Sequence, residues 1–520
     1  MAGVITAGQL AFAANERLRK SPGLMPQEGQ RLAERFRELR CLAAPTRVLA
    51  LDALGKVDLL AATPVHFVVR PGGSLTAYSP SDLFTGLMAP FAYDGSSYAM
   101  EVGFVASRLD WGTALAFQVW DRPLWDVEVR GVHFGDASWS GFLQGFNVVS
   151  HGEDASPLRG AWLRASSPER YSSQSLGELA SGAERFQVAL EYASHQRRVR
   201  VSLAREEEDA PTSAAASDAP MEGSDVFLSL VSGGLTGSPA YWGICEIADL
   251  RLLAGSPGIH PIPYEPRRAV ELLFLANGRW TQGRTVEAIE LYDKAIAAGD
   301  LEREHDRALK EKGLPSEFDF FWAAPYLKWV SVDARLWRGL LRATLGRREE
   351  GLQDLRDAAG ISPERFETLV MNSALPLANF PEAAAALAVY YRERAGLGPD
   401  ADPRELARWL FKEYDEGAAD LADTLLASSE LQIARYLTVE AVQSEGAAPP
   451  VQKGDIVLSY DGAKVSDWGE LRRAQGKARD DEKIEVEVEI VRGGHSQVVR
   501  IDPQRVTIQA GVSFGIEEKK

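Results

Sequence analysis

The sequence predicts a multidomain α and β protein: an antiparallel β-sandwich, an α-helical repeat segment and a small β-barrel with helices, joined in series. Three observations carry this expectation. A chain of 520 residues is too long for one core. Apolar residues alternate with polar ones between Pro64 and Leu253, and again between Ile484 and Ile501. Helical periodicity fills the stretch from Arg267 to Tyr436.

Composition fits folded protein, with 45% hydrophobic and 25% charged residues. The net charge is 57 − 74 = −17, which disfavours nucleic acid and anionic membrane, because no basic field gathers phosphates. The opening MAGVITAGQLAFAANERLRK lacks a basic segment before its short apolar run, and no later run reaches membrane length. These features place the chain in the cytoplasm, or in the periplasm if its true start lies upstream, with no membrane insertion. Cys41 and Cys245 are too far apart to suggest a disulfide framework, and read as single buried thiols.

Residues 1–62 read as helices broken at Ser21-Pro22-Gly23 and Ala44-Pro45. Residues 63–254 read as the sandwich. Phe186, Val188, Leu190 and Tyr192 face Val199, Val201 and Leu203 across a Ser194-His195-Gln196 turn, the pattern of a hairpin with one buried face. Residues 206–225 are acidic, small and Pro-punctuated, and read as a disordered loop within the sandwich. A Gly- and Pro-rich linker follows at 255–266, then helices over 267–436 and a strand-rich module over 437–520.

A frame of about 34 residues recurs in the helical segment. From Ala269 it places Leu275 and Ala276 at a helix crossing, Gly283 at the turn, and Ala288, Tyr292 and Ala295 on the second helix. From Val332 it places Gly339, Gly346, Gly351, Leu355, Ala358 and Pro363 at the matching offsets. This resembles tetratricopeptide repeats. The resemblance implies a concave inner face with Asn277 and Trp280 on it, without the basic partners of a clamp for acidic peptide tails. The aromatic group Phe318, Phe320, Phe321, Trp322, Tyr326 and Trp329 interrupts the frame and reads first as packed core.

The run Lys453-Gly454-Asp455-Ile456 to Asp461-Gly462, the helix carrying Leu471, and the alternating Ile484, Val486, Val488 and Ile490 resemble a PDZ domain of the bacterial protease-associated type. The resemblance implies a groove for a protein segment or C-terminal peptide, walled by the helix with Leu471. No carboxylate-binding loop precedes Gly454. Gln509 to Ile516 is the candidate for a circularly permuted one, in which the amides of Gly511, Val512, Ser513 and Phe514 form the anion nest. A plain closing strand is the alternative for the same residues.

The sandwich hairpin, Val226–Val231 and Tyr241–Leu250 together resemble concanavalin-A-like, laminin-G-type jelly rolls. That resemblance implies a protein or glycan partner, with Trp111, Trp120, Trp125, Trp139 and Trp162 either stacking on sugars or filling the core. The enzymatic alternative is a glycan-active site on paired carboxylates. Glu246 and Asp249 differ by three, so a regular strand points them to opposite faces. Phosphate-loop, nucleophile-elbow and zinc-protease motifs are absent, and the seven histidines lack metal-ligand spacing. The expectation is a non-catalytic scaffold without cofactor or metal; the alternatives are the glycan-active enzyme and the sensory half of a larger regulatory protein.

Overall fold

Alternating side chains build two antiparallel sheets from residues 46–261, because each strand must bury one face against the other sheet. The computed structural model of the chain describes residues 46–518 apart from short stretches, the longest being 131–137, 206–212, 235–241 and 315–328. Two compact units meet in sequence at Leu387 and Ala388.

In the first unit, one sheet runs in the order Ser213–Asp218, Arg198–Arg205, Arg185–Ala193, Tyr98–Leu109, Trp242–Ala254, Leu75–Pro80 and Phe67–Val69, with Thr46–Ala50 also on Trp242–Ala254. The other runs Tyr171–Glu178, Leu158–Ser166, Phe142–His151, Thr113–Trp120, Ser224–Gly234, Thr85–Tyr93 and Ile259–Pro261, with Leu60–Ala61 also on Thr85–Tyr93. Val188 lies opposite Leu203 and Leu190 opposite Val201, so the 185–205 hairpin has the register its alternation dictates. Phe186, Val188, Leu190 and Tyr192 join Phe91, Phe104 and Phe117 in the core between the sheets.

Three segment readings change. Residues 46–62 are not α-helical: they supply two strands and the six-residue 3-10 helix Leu51–Lys56 to the sandwich. Within the expected loop 206–225, Ser213–Asp218 is an edge strand paired with Arg198–Leu203, since small residues suit an edge whose neighbour supplies the hydrogen bonds. The linker 255–266 contributes Ile259–Pro261, a strand on Thr85–Tyr93, because proline is tolerated at a sheet edge. Cys41 and the aromatic residues 318–326 lie outside the described residues, whereas Cys245 is buried, and burial pushes its thiol up to about 12.

Helices α1 (Ala269–Thr281) and α2 (Thr285–Glu311) are joined at Gly283, and α3 (Val330–Thr344) and α4 (Arg348–Ile361) at Gly346. Both glycines adopt positive φ, +74° and +78°, which a reversal this tight requires. Where α3 crosses α4, a Cβ on Gly351 would lie 2.6 Å from the Gly339 carbonyl oxygen, so only glycine permits that approach. Ser362 caps α5 (Pro363–Met371) by accepting the Arg365 N–H at 3.3 Å. Arg365 also makes a buried bidentate pair with Asp333, at 3.0 and 2.6 Å. Pro381–Arg394 forms α6.

The second unit contains α7 (Pro403–Tyr414), α8 (Ala419–Leu425) and α9 (Trp468–Asp480) around a sheet ordered His495–Ile501, Val486–Arg492, Ile456–Tyr460, Leu431–Ser444 and Val506–Glu518. Strand, not helix, therefore begins at Leu431. Asp461 and Gly462 have φ +52° and +77°, and Gly493 and Gly494 +58° and +82°; these paired left-handed residues make tight hairpins. Gly454, at φ +91°, precedes a buried Asp455 whose carboxylate accepts two bonds from Arg492, at 2.7 and 2.6 Å. Burial opposes its charge, but Arg492 and the Gln452 N–H hold the Asp455 carboxyl below its usual range.

Candidate functional site

Three surfaces carry the residues singled out by sequence: the inner face of α1, the outer face of the second sandwich sheet, and the C-terminal strand beside α9.

Helix α1 presents its polar side chains to the main chain of residues 54–64. Asn277 Nδ2 donates to the carbonyls of Ala61 and Ala62, both at 2.9 Å. Its Oδ1 accepts from the Tyr292 hydroxyl at 2.6 Å. Thr281 donates to Pro64 O at 3.2 Å, and Gln282 to Leu54 O and Val57 O at 2.7 and 2.8 Å. Arg279 pairs with Asp58 at 2.5 Å, and the other Asp58 oxygen accepts the Tyr264 N–H. Gly278 lets the Leu59 carbonyl approach so closely that a Cβ there would lie 1.8 Å from it. The expected open inner face is therefore filled here. Asn277 is fully buried against the protein's own strand segment, and Trp280 is buried with its ring 5.7 Å from that of Phe380.

The second sandwich sheet is buried on both faces across its central strands. Leu87, Ala89 and Phe91 point into the sandwich, yet Met88, Gln118, Trp120, Ser229 and Val231 on the opposite face are buried too. The Leu124 N–H meets Met88 Sδ at 3.3 Å, and the Trp125 ring packs edge-on against Phe274 of α1 at 4.7 Å. Trp120 and Trp125 are thus core residues and cannot stack on a sugar; the side chains of Trp111, Trp139 and Trp162 lie outside the described residues. An apolar cavity of about 50 Å³ between the sheets, lined by Leu87, Met100, Phe117 and Ile247 among others, is too small for an organic ligand.

The strand holding Glu246 and Asp249 is irregular between Ile247 and Asp249, so a plain alternation does not set their relative facing. Glu246 is exposed, and the Asp249 side chain lies outside the described residues. On the same sheet Glu101 is matched to Arg251 at 3.8 Å, and Glu191 stands opposite Arg200. Among the described residues no group of three or more His, Cys, Asp or Glu side chains is placed to hold a metal.

In the second unit the expected anion nest is not formed. Gly511, Val512, Ser513 and Phe514 lie in one continuous strand, paired in register with Thr438, Leu437, Tyr436 and Arg435. Along an extended strand successive amides point to opposite edges, so three consecutive N–H groups cannot converge on one anion. Leu471 is likewise no groove residue; it is fully buried in the core with Val488 and Ile508. A Cβ on Gly515 would meet the Tyr436 ring at 2.9 Å, so glycine lets that ring lie across the strand. The Tyr436 hydroxyl bonds Glu517, and burial together with that carboxylate pushes it up to about 12.

The residue missed by sequence reasoning is Gln475. Its Nε2 donates to Ile508 O at 3.0 Å, and its Oε1 accepts the Ile508 N–H at 3.0 Å. Arg479, one turn on, donates to Pro503 O at 2.9 Å and to the Thr507 hydroxyl. The signal was present: Leu471, Gln475 and Ala478 form the buried stripe of α9, and a Gln on such a stripe needs a partner.

The Ile508 bonds fix which way the strand faces. Its N–H and C=O point away from Leu431–Ser444, so the main-chain groups of Ala510, Val512, Phe514 and Ile516 do so too. Among the described residues no second strand pairs along this outer edge. Phe514 stacks on Phe411 of α7 at 6.1 Å beside it.

The solved structures similar to this chain include lectins and alginate lyases. Peanut lectin with a nine-residue peptide is 12% identical, with TM-score 0.31, over 40% of this chain and 97% of that one. The legume lectin-like domain from Entamoeba histolytica is 9% identical, with TM-score 0.28, over 38% and 90%. The alginate lyase from Alteromonas sp. 272 is 9% identical, with TM-score 0.25, over 38% and 95%. No protein-family model matches the sequence, and no curated protein matches it. Among the described residues no helix is long and apolar enough to cross a membrane.

Proposed function

We propose that the chain is a non-catalytic binding protein whose second unit takes an extended segment of a partner protein as an added β-strand along the outer edge of Val506–Glu518. The observation that carries this reading is the outward main chain of Ala510, Val512 and Ile516 at an edge with one strand neighbour among the described residues. The tight Asp461-Gly462 hairpin and the helix beside the edge support a PDZ-like character for the unit. The absence of a convergent amide nest at 511–514 favours internal segments over C-terminal carboxylates. In the first unit, the Gly339–Gly351 crossing supports a tetratricopeptide-like pair of hairpins, whose α1 face serves the sandwich instead of a partner.

The test is selection of internal and C-terminal peptide libraries on the full chain, repeated with Val512→Pro. Proline removes the outward N–H of Val512 but none of the bonds to Leu431–Ser444, and edges tolerate it. Internal extended segments should be selected, and Val512→Pro should abolish their binding. Ligands that require a free terminal carboxylate, or binding indifferent to Val512→Pro, overturn the proposal.

A further inference from the structure

We propose that Asn277-Gly278 is a covalent modification site that the fold keeps closed, and at which an opening of the seam where α1 meets residues 54–64 becomes permanent. This is the chain's one Asn-Gly step, and the seam itself demands both residues. Residue 277 must donate to the carbonyls of Ala61 and Ala62 and accept from the Tyr292 hydroxyl, which takes a side-chain amide of this length. Residue 278 must be glycine, since a Cβ there would lie 1.8 Å from the Leu59 carbonyl oxygen. The same pair is chemically labile in an open chain. With no Cβ on residue 278 to hinder the approach, its main-chain nitrogen reaches the Asn277 Cγ freely.

In the open chain the Gly278 nitrogen gives up its proton and bonds to Cγ. The Cγ–Nδ2 bond breaks, ammonia leaves with that proton, and a succinimide ring closes. Water then opens the ring: addition at Cγ leaves Asp, and addition at the Asn277 main-chain carbonyl leaves isoaspartate. The folded chain blocks the first step in three ways. The Gly278 N–H belongs to the hydrogen-bond ladder of α1. Both ends of the Asn277 amide are tied, and Leu59 O closes the space into which the Gly278 main chain would turn. Either product then prevents reclosure. A carboxylate at 277 has no proton to give to Ala61 and Ala62 and faces their oxygens instead. Isoaspartate also adds a methylene to the main chain in mid-helix, so Thr281 and Gln282 lose register with Pro64, Leu54 and Val57.

The experiment holds the full chain in mildly alkaline buffer, with and without denaturing urea, and follows residue 277 by peptide mass mapping. Replacement of NH2 by OH marks conversion, and enzymatic methylation of isoaspartate separates the two products. Conversion in buffer should be at least about a hundredfold slower than in urea, because a buried contact of this kind is open only a small fraction of the time. Gln282→Ala drops the bonds to Leu54 and Val57 without touching Asn277 or Gly278, and should speed conversion in buffer about fivefold. Thr281→Val, which drops the bond to Pro64, serves in its place if that variant folds poorly. Converted chains carry one more negative charge and are separated by ion exchange once the urea is removed. They should unfold at a lower urea midpoint than unconverted chains passed through the same cycle. Equal rates in buffer and urea, conversion indifferent to both variants, or a parental midpoint in the converted chain overturns the proposal.

Discussion

Helices α1 and α9 do the same thing with different consequences: each offers side-chain amides to the main chain of a neighbouring strand. On α1, Asn277 and Gln282 hold four carbonyls, Thr281 a fifth, and Arg279 adds an ion pair, all around Gly278, which brings the two backbones together. On α9 one amide, Gln475, meets one residue at the rim of a sheet. Side-chain amides reading a backbone are sequence-tolerant in both places. Both contacts are buried, so what sets them apart is number: five carbonyls held beside α1 against one residue beside α9. The seam makes sandwich and hairpins one body; the α9 contact lies on a strand that no second described strand pairs on that side.

The sharpest way to break the seam is at Gly278. The atom in the way there is a main-chain oxygen, not the end of a flexible side chain, so Gly278→Val should cost about 3 kcal/mol or more. Urea unfolding of the variant should show a large fall in midpoint; a parental midpoint would mean α1 does not lie this close to Leu59. Nearly as large is the effect of acid on His66. This ring is fully buried, its Nε2–H donating to Asn372 O at 2.6 Å while Thr63 bonds Nδ1. Burial holds it neutral, lowering it from 6.5 to about 4 against the weaker pull of the Asn372 carbonyl. Below pH 6.5 the unfolded chain takes a proton that the folded one refuses until about pH 4. Stability therefore falls as pH drops through that window, by about 3 kcal/mol, and His66 contributes no further loss below it. Comparing the unfolding of wild type and His66→Asn between pH 7.5 and 4 isolates the effect, and identical slopes would refute it.

Asn277→Ala comes next, at about 2 kcal/mol. It leaves the Tyr292 hydroxyl without its acceptor and two carbonyls without their shared donor, all buried. Asn277→Asp should be at least as damaging, because a carboxylate cannot donate to Ala61 and Ala62. If Asn277→Asp unfolds like the parent, this face is not sealed.

The long alternating strands, the hairpin register and the glycine turns were legible because they follow from period and backbone conformation, whereas the short strands at 46–50, 60–61, 213–218 and 259–261 were not. Phe186 to Tyr192 alternate, and Asp461-Gly462 takes the left-handed pair that such a dipeptide favours. What sequence hid was which surfaces face each other. Asn277 was visible as a polar residue at an inner-face position, but nothing in its neighbourhood says that the face closes on residues 54–64, over 200 positions earlier. Trp120 and Trp125 read as core more readily than as sugar platforms, and only α1 laid over their sheet decides it. At the C-terminus, Gly511 to Phe514 has the small and apolar residues of a binding loop, yet Leu431–Ser444 is long enough to pair the whole stretch as strand. Composition describes a segment, whereas pairing depends on a partner elsewhere in the chain.

The smallest effect sharpens the comparison most. Gln475 makes as many hydrogen bonds to main chain as Asn277, two against two, yet Gln475→Ala should cost only about 1 kcal/mol or less. The difference lies in what remains. Removing Asn277 strands carbonyls inside a seam that water cannot enter. Removing Gln475 vacates its own volume beside the buried Ile508, so water must enter that space to take over both bonds, while Leu471 and Arg479 still fasten the helix. Thermal unfolding of the two alanine variants side by side checks this. A Gln475→Ala cost equal to that of Asn277→Ala would show that the α9 contact is a second seam, and the edge would then be closed to any partner strand at Ile508.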